Sequence, residues 1–97
     1  MDTPIDPPFY SDKKSTHLPE RMRIARNIRT LRELRNFDQR YVASMLRVSR
    51  STLSTWENGY TQVKIESLIK LADILGLENY RQIMDFDPDA IFRTIKG

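Results

Sequence analysis

The polar residues between Ser49 and Asn58 are the ones whose types and spacing suit a chemical task. Arg50, Ser51, Ser54 and Thr55 recur at helical spacing, while Leu53 and Trp56 fall on the opposite side. A helix with that pattern presents one long cation and three hydroxyls on a single outward face. The chemistry open to it is directional hydrogen bonding: a guanidinium grips two acceptors at once, and short hydroxyls donate or accept at close range. Acid–base, nucleophilic and metal chemistry have no comparable set. The 97 residues include no cysteine and one histidine, His17, which has no second histidine or clustered carboxylate to act with. A glycine-rich phosphate loop is also missing. No catalytic residue, cofactor or metal ligand is expected, and the chain is not read as an enzyme.

Such a face needs elements to aim it, and the stretch from Asp38 to Asn58 supplies them. Asp38 is a good N-cap, followed by Val42, Ala43 and Leu46 at inward helical spacing. Ser49 is a second N-cap only three residues after Leu46. A break that short folds two helices across each other, the geometry by which a helix-turn-helix lays its second helix in the major groove of DNA. On periodicity alone, an ordinary pair of bundle helices is the commoner explanation of the same residues.

The remaining segments read as helices around one core. A first helix is predicted to start between Thr16 and Glu20, with Ile24, Ile28 and Leu31 inward, and to stop at Arg35–Asn36, where Asn36 can turn left-handed. Gly59 is placed to end the second of the crossed helices. A fourth helix is expected over residues 65–75, closed by Gly76, and a fifth over 77–86, capped by Asn79. Asp87-Pro88 could open one more helical turn or two over residues 88–95. No strand pattern competes, so the fold class is all-α, five short helices around one core. Residues 1–15 carry three prolines and no period, and read as a flexible arm. The organisation is therefore an arm at 1–15, a domain at 16–86 and a short tail at 87–97.

Charge and composition bound the partners. The formal net charge is +3, but both ends are acidic, and the segment between residues 16 and 84 holds twelve Arg and Lys against seven Asp and Glu. A basic centre suits a phosphate backbone, although a solvated surface of mixed charge fits the same count. No apolar run approaches the length of a membrane span. The absence of cysteine fits a reducing cytoplasm.

A larger set of residues carries a family resemblance. Gln39, Ala43, Val48-Ser49, Leu53, Trp56-Glu57-Asn58-Gly59, then Leu68, Leu71-Ala72 and Leu75-Gly76 resemble the helix-turn-helix domain of lambdoid phage repressors and Cro, the XRE-type family. The resemblance spans roughly residues 20–84. It implies a five-helix, lambda-repressor-like DNA-binding domain with the helix-turn-helix in helices two and three. It also implies that Ser49–Glu57 is the recognition helix, with Arg50, Ser51 and Thr55 facing base edges and Ser54 nearby. Arg50 is the strongest candidate, since a guanidinium can hold guanine O6 and N7 together; a phosphate contact is its alternative role. Gln39, Asn58 and the loop residues Tyr60, Thr61, Gln62 and Lys64 would meet phosphates, and Arg32 would pair with Glu57 to fix the angle of the recognition helix.

The sequence departs from the family pattern in two places. Arg47 stands where glycine is usual in the turn. If the turn is unchanged, Arg47 sits at positive φ, at a cost of about 1 kcal/mol or somewhat more, which a phosphate contact could offset. Val63 stands where proline is usual, and Lys64 where a capping Ser or Thr is common. The resulting expectation is a sequence-specific regulator of transcription, a repressor that binds double-stranded DNA as a homodimer on a palindromic operator. Phe86, Ile91, Phe92 and Ile95 are candidates for the dimer surface. An antitoxin that masks a toxin through a terminal segment such as residues 1–15, and an adaptor that keeps the fold without using DNA, are the alternatives.

Overall fold

The computed structural model describes residues 18–88. The arm at 1–15, His17, and the tail residues from 89 onward, including Ile91, Phe92 and Ile95, lie outside the described residues. Those described form five helices and no strand: α1 Glu20–Leu34, α2 Gln39–Leu46, α3 Arg50–Glu57, α4 Ile65–Ile74 and α5 Arg81–Asp85.

The core forms where the inward stripes of these helices meet. Ile24, Ile28 and Leu31 of α1, Val42, Ala43 and Leu46 of α2, Leu53 of α3, Leu68, Leu71 and Ala72 of α4, and Ile83 of α5 are buried together. Val63 from the loop before α4 and Leu75 just beyond it complete the cluster. Trp56, Val48, Phe37 and Phe86 pack against it half-buried. Each of these stripes repeats at three and four residues, so burying one face fixes how each helix is rotated. Elements this short have little stability alone, and packing supplies it.

One ending recurs four times. The amide two or three residues past each of α1 to α4 reaches a carbonyl five residues back: Phe37 N–H to Arg32 O, Val48 to Ala43, Tyr60 to Thr55 and Leu77 to Ala72, at 2.8–3.1 Å. In each case the amide just before it bonds the carbonyl three residues back. This Schellman pattern needs a left-handed residue after the helix. Asn36 (φ 60°), Arg47 (φ 62°), Gly59 (φ 74°) and Gly76 (φ 77°) fill that position.

The end of the chain corrects one expectation. The fifth helix begins at Arg81, four residues later than its periodicity suggested. Leu77 is committed to the turn that ends α4. Asn79 bonds its own chain two residues on, its Oδ1 accepting from Arg81 N at 2.9 Å, and Gln82 Oε1 accepts from Glu78 N at 2.7 Å. These local bonds hold residues 77–80 as a turn.

Candidate nucleic-acid interface

Two capped helices and one strained turn position the polar face. Asp38 accepts from Tyr41 N at 2.8 Å to start α2, and Ser49 Oγ accepts from Thr52 N at 3.0 Å to start α3. Between them Arg47 takes φ 62°, ψ 41°, so the turn keeps its left-handed geometry with an arginine in the place that best suits glycine. Its backbone is held by the paired turn bonds, and its side chain projects to solvent.

Past the other end of α3 lies Gly59, whose left-handed backbone strains any side chain. A Cβ there would collide with the Met22 side chain, and φ is positive. Arg21 Nε donates to Gly59 O at 2.6 Å, tying the start of α1 to this end. Farther along α1, Arg32 donates through Nε to Glu57 Oε2 at 2.7 Å and through Nη2 to Oε1 at 3.0 Å, while its Nη1 reaches Phe37 O at 2.7 Å. Arg32 is 8% exposed and Glu57 6%. The Glu57 hydrogen bond raises the Arg32 guanidinium further above its ordinary range, more than burial lowers it, so the pair keeps its cation. Gln39 completes the group, its Nε2 donating to Glu57 Oε1 at 3.0 Å. Three helices thus meet on one carboxylate.

The structure distributes the remaining sequence-nominated residues as follows. Arg50 and Ser51 are exposed on α3, and Ser54 and Thr55 are half-buried beside them. Thr55 Oγ1 donates to Ser51 O at 2.8 Å, which uses its proton and leaves an acceptor lone pair and a methyl to face outward. Asn58 Nδ2 donates to Ser54 O at 2.8 Å and to Ser54 Oγ at 3.3 Å, so its amide is turned onto its own helix, while that of Gln39, turned onto Glu57, has one N–H left over. Tyr60, Thr61, Gln62 and Lys64 are all exposed, and Val63 between them is buried, which pins the loop to the core. Lys64 occupies the N-cap of α4 without a side-chain cap bond.

Arg50, Gln39 and Asn58 open onto one concave face of about 680 Å³, which Arg29, Arg32, Asp38, Arg40 and Glu57 also line. Arg29 and Arg40 were not singled out from sequence. The available signal was position: Arg29 lies one turn before Arg32 on α1, and Arg40 follows Gln39 in the first turn of α2. Arg29 bonds Glu33 at 3.4 Å. Arg40, Arg47 and Arg50 have no side-chain partner among the described residues. No group of metal-ligating side chains occurs among those residues, and none of their helices is long and apolar enough to cross a membrane.

Comparison with known proteins follows this geometry. The family described as Helix-turn-helix matches residues 28–78, just over half of the chain. Among solved structures, the clp gene regulator ClgR from C. glutamicum superposes with a TM-score of 0.66 at 25% identity, covering 70% of this chain and 87% of that one. The restriction-modification controller protein C.AhdI from Aeromonas hydrophila gives 0.60 at 26% identity, covering 64% of this chain and 92% of that one. An HTH_3 family transcriptional regulator from Vibrio cholerae gives 0.62 at 26% identity, covering 72% of this chain but 39% of its own. No curated protein sequence matches the chain.

Proposed function

The chain belongs to the XRE-type helix-turn-helix family, and from that membership and the polar face of α3 we propose that it is a sequence-specific, double-stranded-DNA-binding repressor. The observation that carries this reading is the set of guanidiniums of Arg40, Arg47 and Arg50, without a side-chain partner among the described residues, around the start of α2 and α3. Arg40 and Arg50 on the concave face, with Arg47 in the turn between their helices, are held ready for an anionic partner, and helix N-termini add amide donors to it. ClgR and C.AhdI, named as a regulator and a controller protein, have the same fold and support the assignment.

In the proposed complex α3 lies in the major groove. Arg50 reads guanine, Ser51 and Ser54 bond base edges at short range, and Thr55 offers its lone pair to an exocyclic amine or its methyl to thymine. Gln39 uses its spare N–H on a phosphate and Asn58 exchanges its longer bond, to Ser54 Oγ, for another, with Arg40, Arg47, Tyr60, Thr61, Gln62 and Lys64 along the two backbones. One helix reads too few base pairs to define a site, so the protein acts as a homodimer on a palindrome. Occupying an operator within a promoter then represses it.

Selection of bound sequences from random duplex DNA, with the salt dependence of the best site, tests this. The expected result is a palindrome with half-sites about 34 Å apart and an affinity that falls steeply with salt. Absence of any enriched sequence, with a flat salt dependence, would remove DNA from the account and leave a protein-binding adaptor.

A further inference from the structure

We propose that α4 carries the surface through which two copies of this chain pair, with Ile65 and Ile69 packed across a two-fold axis and Glu66 of each copy facing Lys70 of the other. The inference rests on the reading of the protein as a dimeric DNA binder and names the surface that makes it one. Ile65 and Ile69 are 54% and 50% exposed and stand one turn apart. Isoleucine is among the residues most often buried, so two on one outward stripe are a patch to be covered. Each also borders a groove, Ile65 one that it shares with Met84 and Ile69 one lined by Leu77 and Tyr80. Exposed apolar side chains that border grooves are what a two-fold contact needs, because the same patch must supply both halves of the fit.

The charges point to a second copy as the occupant. Glu66 and Lys70 lie beside the isoleucines on the exposed side of α4, and neither makes an ion pair among the described residues. In an antiparallel α4 pair whose two-fold axis passes at the level of residue 68, residue 66 of one copy falls opposite residue 70 of the other, twice over. The patch is therefore complementary to itself in sign as well as shape. Its position also suits the task. Lys64, proposed to meet phosphate, is the N-cap of α4, so the dimer surface adjoins the DNA face. Phe86, considered from sequence for the dimer surface, is packed against the core of its own chain.

Sedimentation of the full chain tests the surface. The wild type is expected to be a dimer at micromolar concentration, and Ile69→Lys a monomer with an unchanged circular dichroism spectrum, its dissociation constant raised about a hundredfold or more. Glu66→Lys and Lys70→Glu should each weaken the dimer about tenfold, and the double exchange should restore it, an arm that stands even if Ile69→Lys misfolds. A monomeric wild type, a dimeric Ile69→Lys or a double exchange without recovery overturns the proposal. Binding to a single half-site separates this from the reading beneath it. A monomeric wild type that still binds DNA sinks the α4 surface and the dimer but leaves the DNA reading, whereas an intact dimer that binds no DNA sinks only the DNA reading.

Discussion

Arg32 and Arg50 show how burial divides one residue type between two tasks. Arg32 has Glu57 and Phe37 O filling its guanidinium and is nearly inaccessible, whereas Arg50 stands exposed without a side-chain partner among the described residues. Arg32→Ala strands the Glu57 carboxylate in the core and is expected to cost about 3–5 kcal/mol of folding stability, measured by urea denaturation. Since the Arg32 pKa is raised on folding, its contribution is complete below the unfolded value and is lost only as pH climbs through the folded one, beyond the range in which DNA is bound. Arg50→Ala should leave stability unchanged within about 0.5 kcal/mol. It should cost about 1–3 kcal/mol of affinity at one base position and relax the choice there. An equal loss on every sequence would make Arg50 a phosphate contact. Arg47→Gly relieves the left-handed arginine and should stabilise the domain by about 1 kcal/mol, a rise of roughly 4–8 °C in Tm, while DNA affinity falls. A lower Tm would mean that the turn does not strain Arg47.

At the scale of elements, what the sequence disclosed depended on whether the signal was local. The caps Asp38 and Ser49, the terminators Asn36, Gly59 and Gly76, and the inward stripes are local patterns, and they located α2 to α4 and the end of α1 within a residue or two, while bracketing the start of α1 only between Thr16 and Glu20. The start of α5 was missed because the Asn79 turn and the Gln82–Glu78 bond compete with a helix that the apolar spacing also allows. The bond from Arg21 to Gly59 O and the convergence of Gln39 on Glu57 join residues 38 and 18 apart, which no spacing rule reaches. Asn27 belongs to the same class. It is fully buried on α1, and its Nδ2 donates to Ile83 O at 2.7 Å, securing a five-residue helix that could not stand alone. Asn27→Ala leaves the Ile83 carbonyl without that donor and should cost about 1–3 kcal/mol. Amide exchange should quicken first at Arg81–Asp85, and uniform quickening across the domain would show that α5 does not open separately.

For the whole molecule, the decisive quantity is how many cations meet phosphate at once. The formal net charge of +3 understates this, because the acidic residues are concentrated toward the two ends, while Arg40 and Arg50 line one concave face and Arg47 stands in the turn between α2 and α3. Taking Arg40, Arg47 and Lys64 as the phosphate cations of each copy, a dimer neutralises about six phosphates, and log affinity against log salt should have a slope of about −5. Arg50 is left out of that count because bonding a base releases no counterion from a phosphate. The same bookkeeping ties the DNA face to the α4 surface. Arg47→Gly removes one phosphate contact per copy and should make the dimer slope shallower by about 2. Ile69→Lys, as a monomer on a half-site, should show a slope of about −3. A monomeric variant that keeps the slope of the dimer would place the phosphate contacts on residues other than these, and a wild-type slope near −3 would mean that only one copy sits on the duplex.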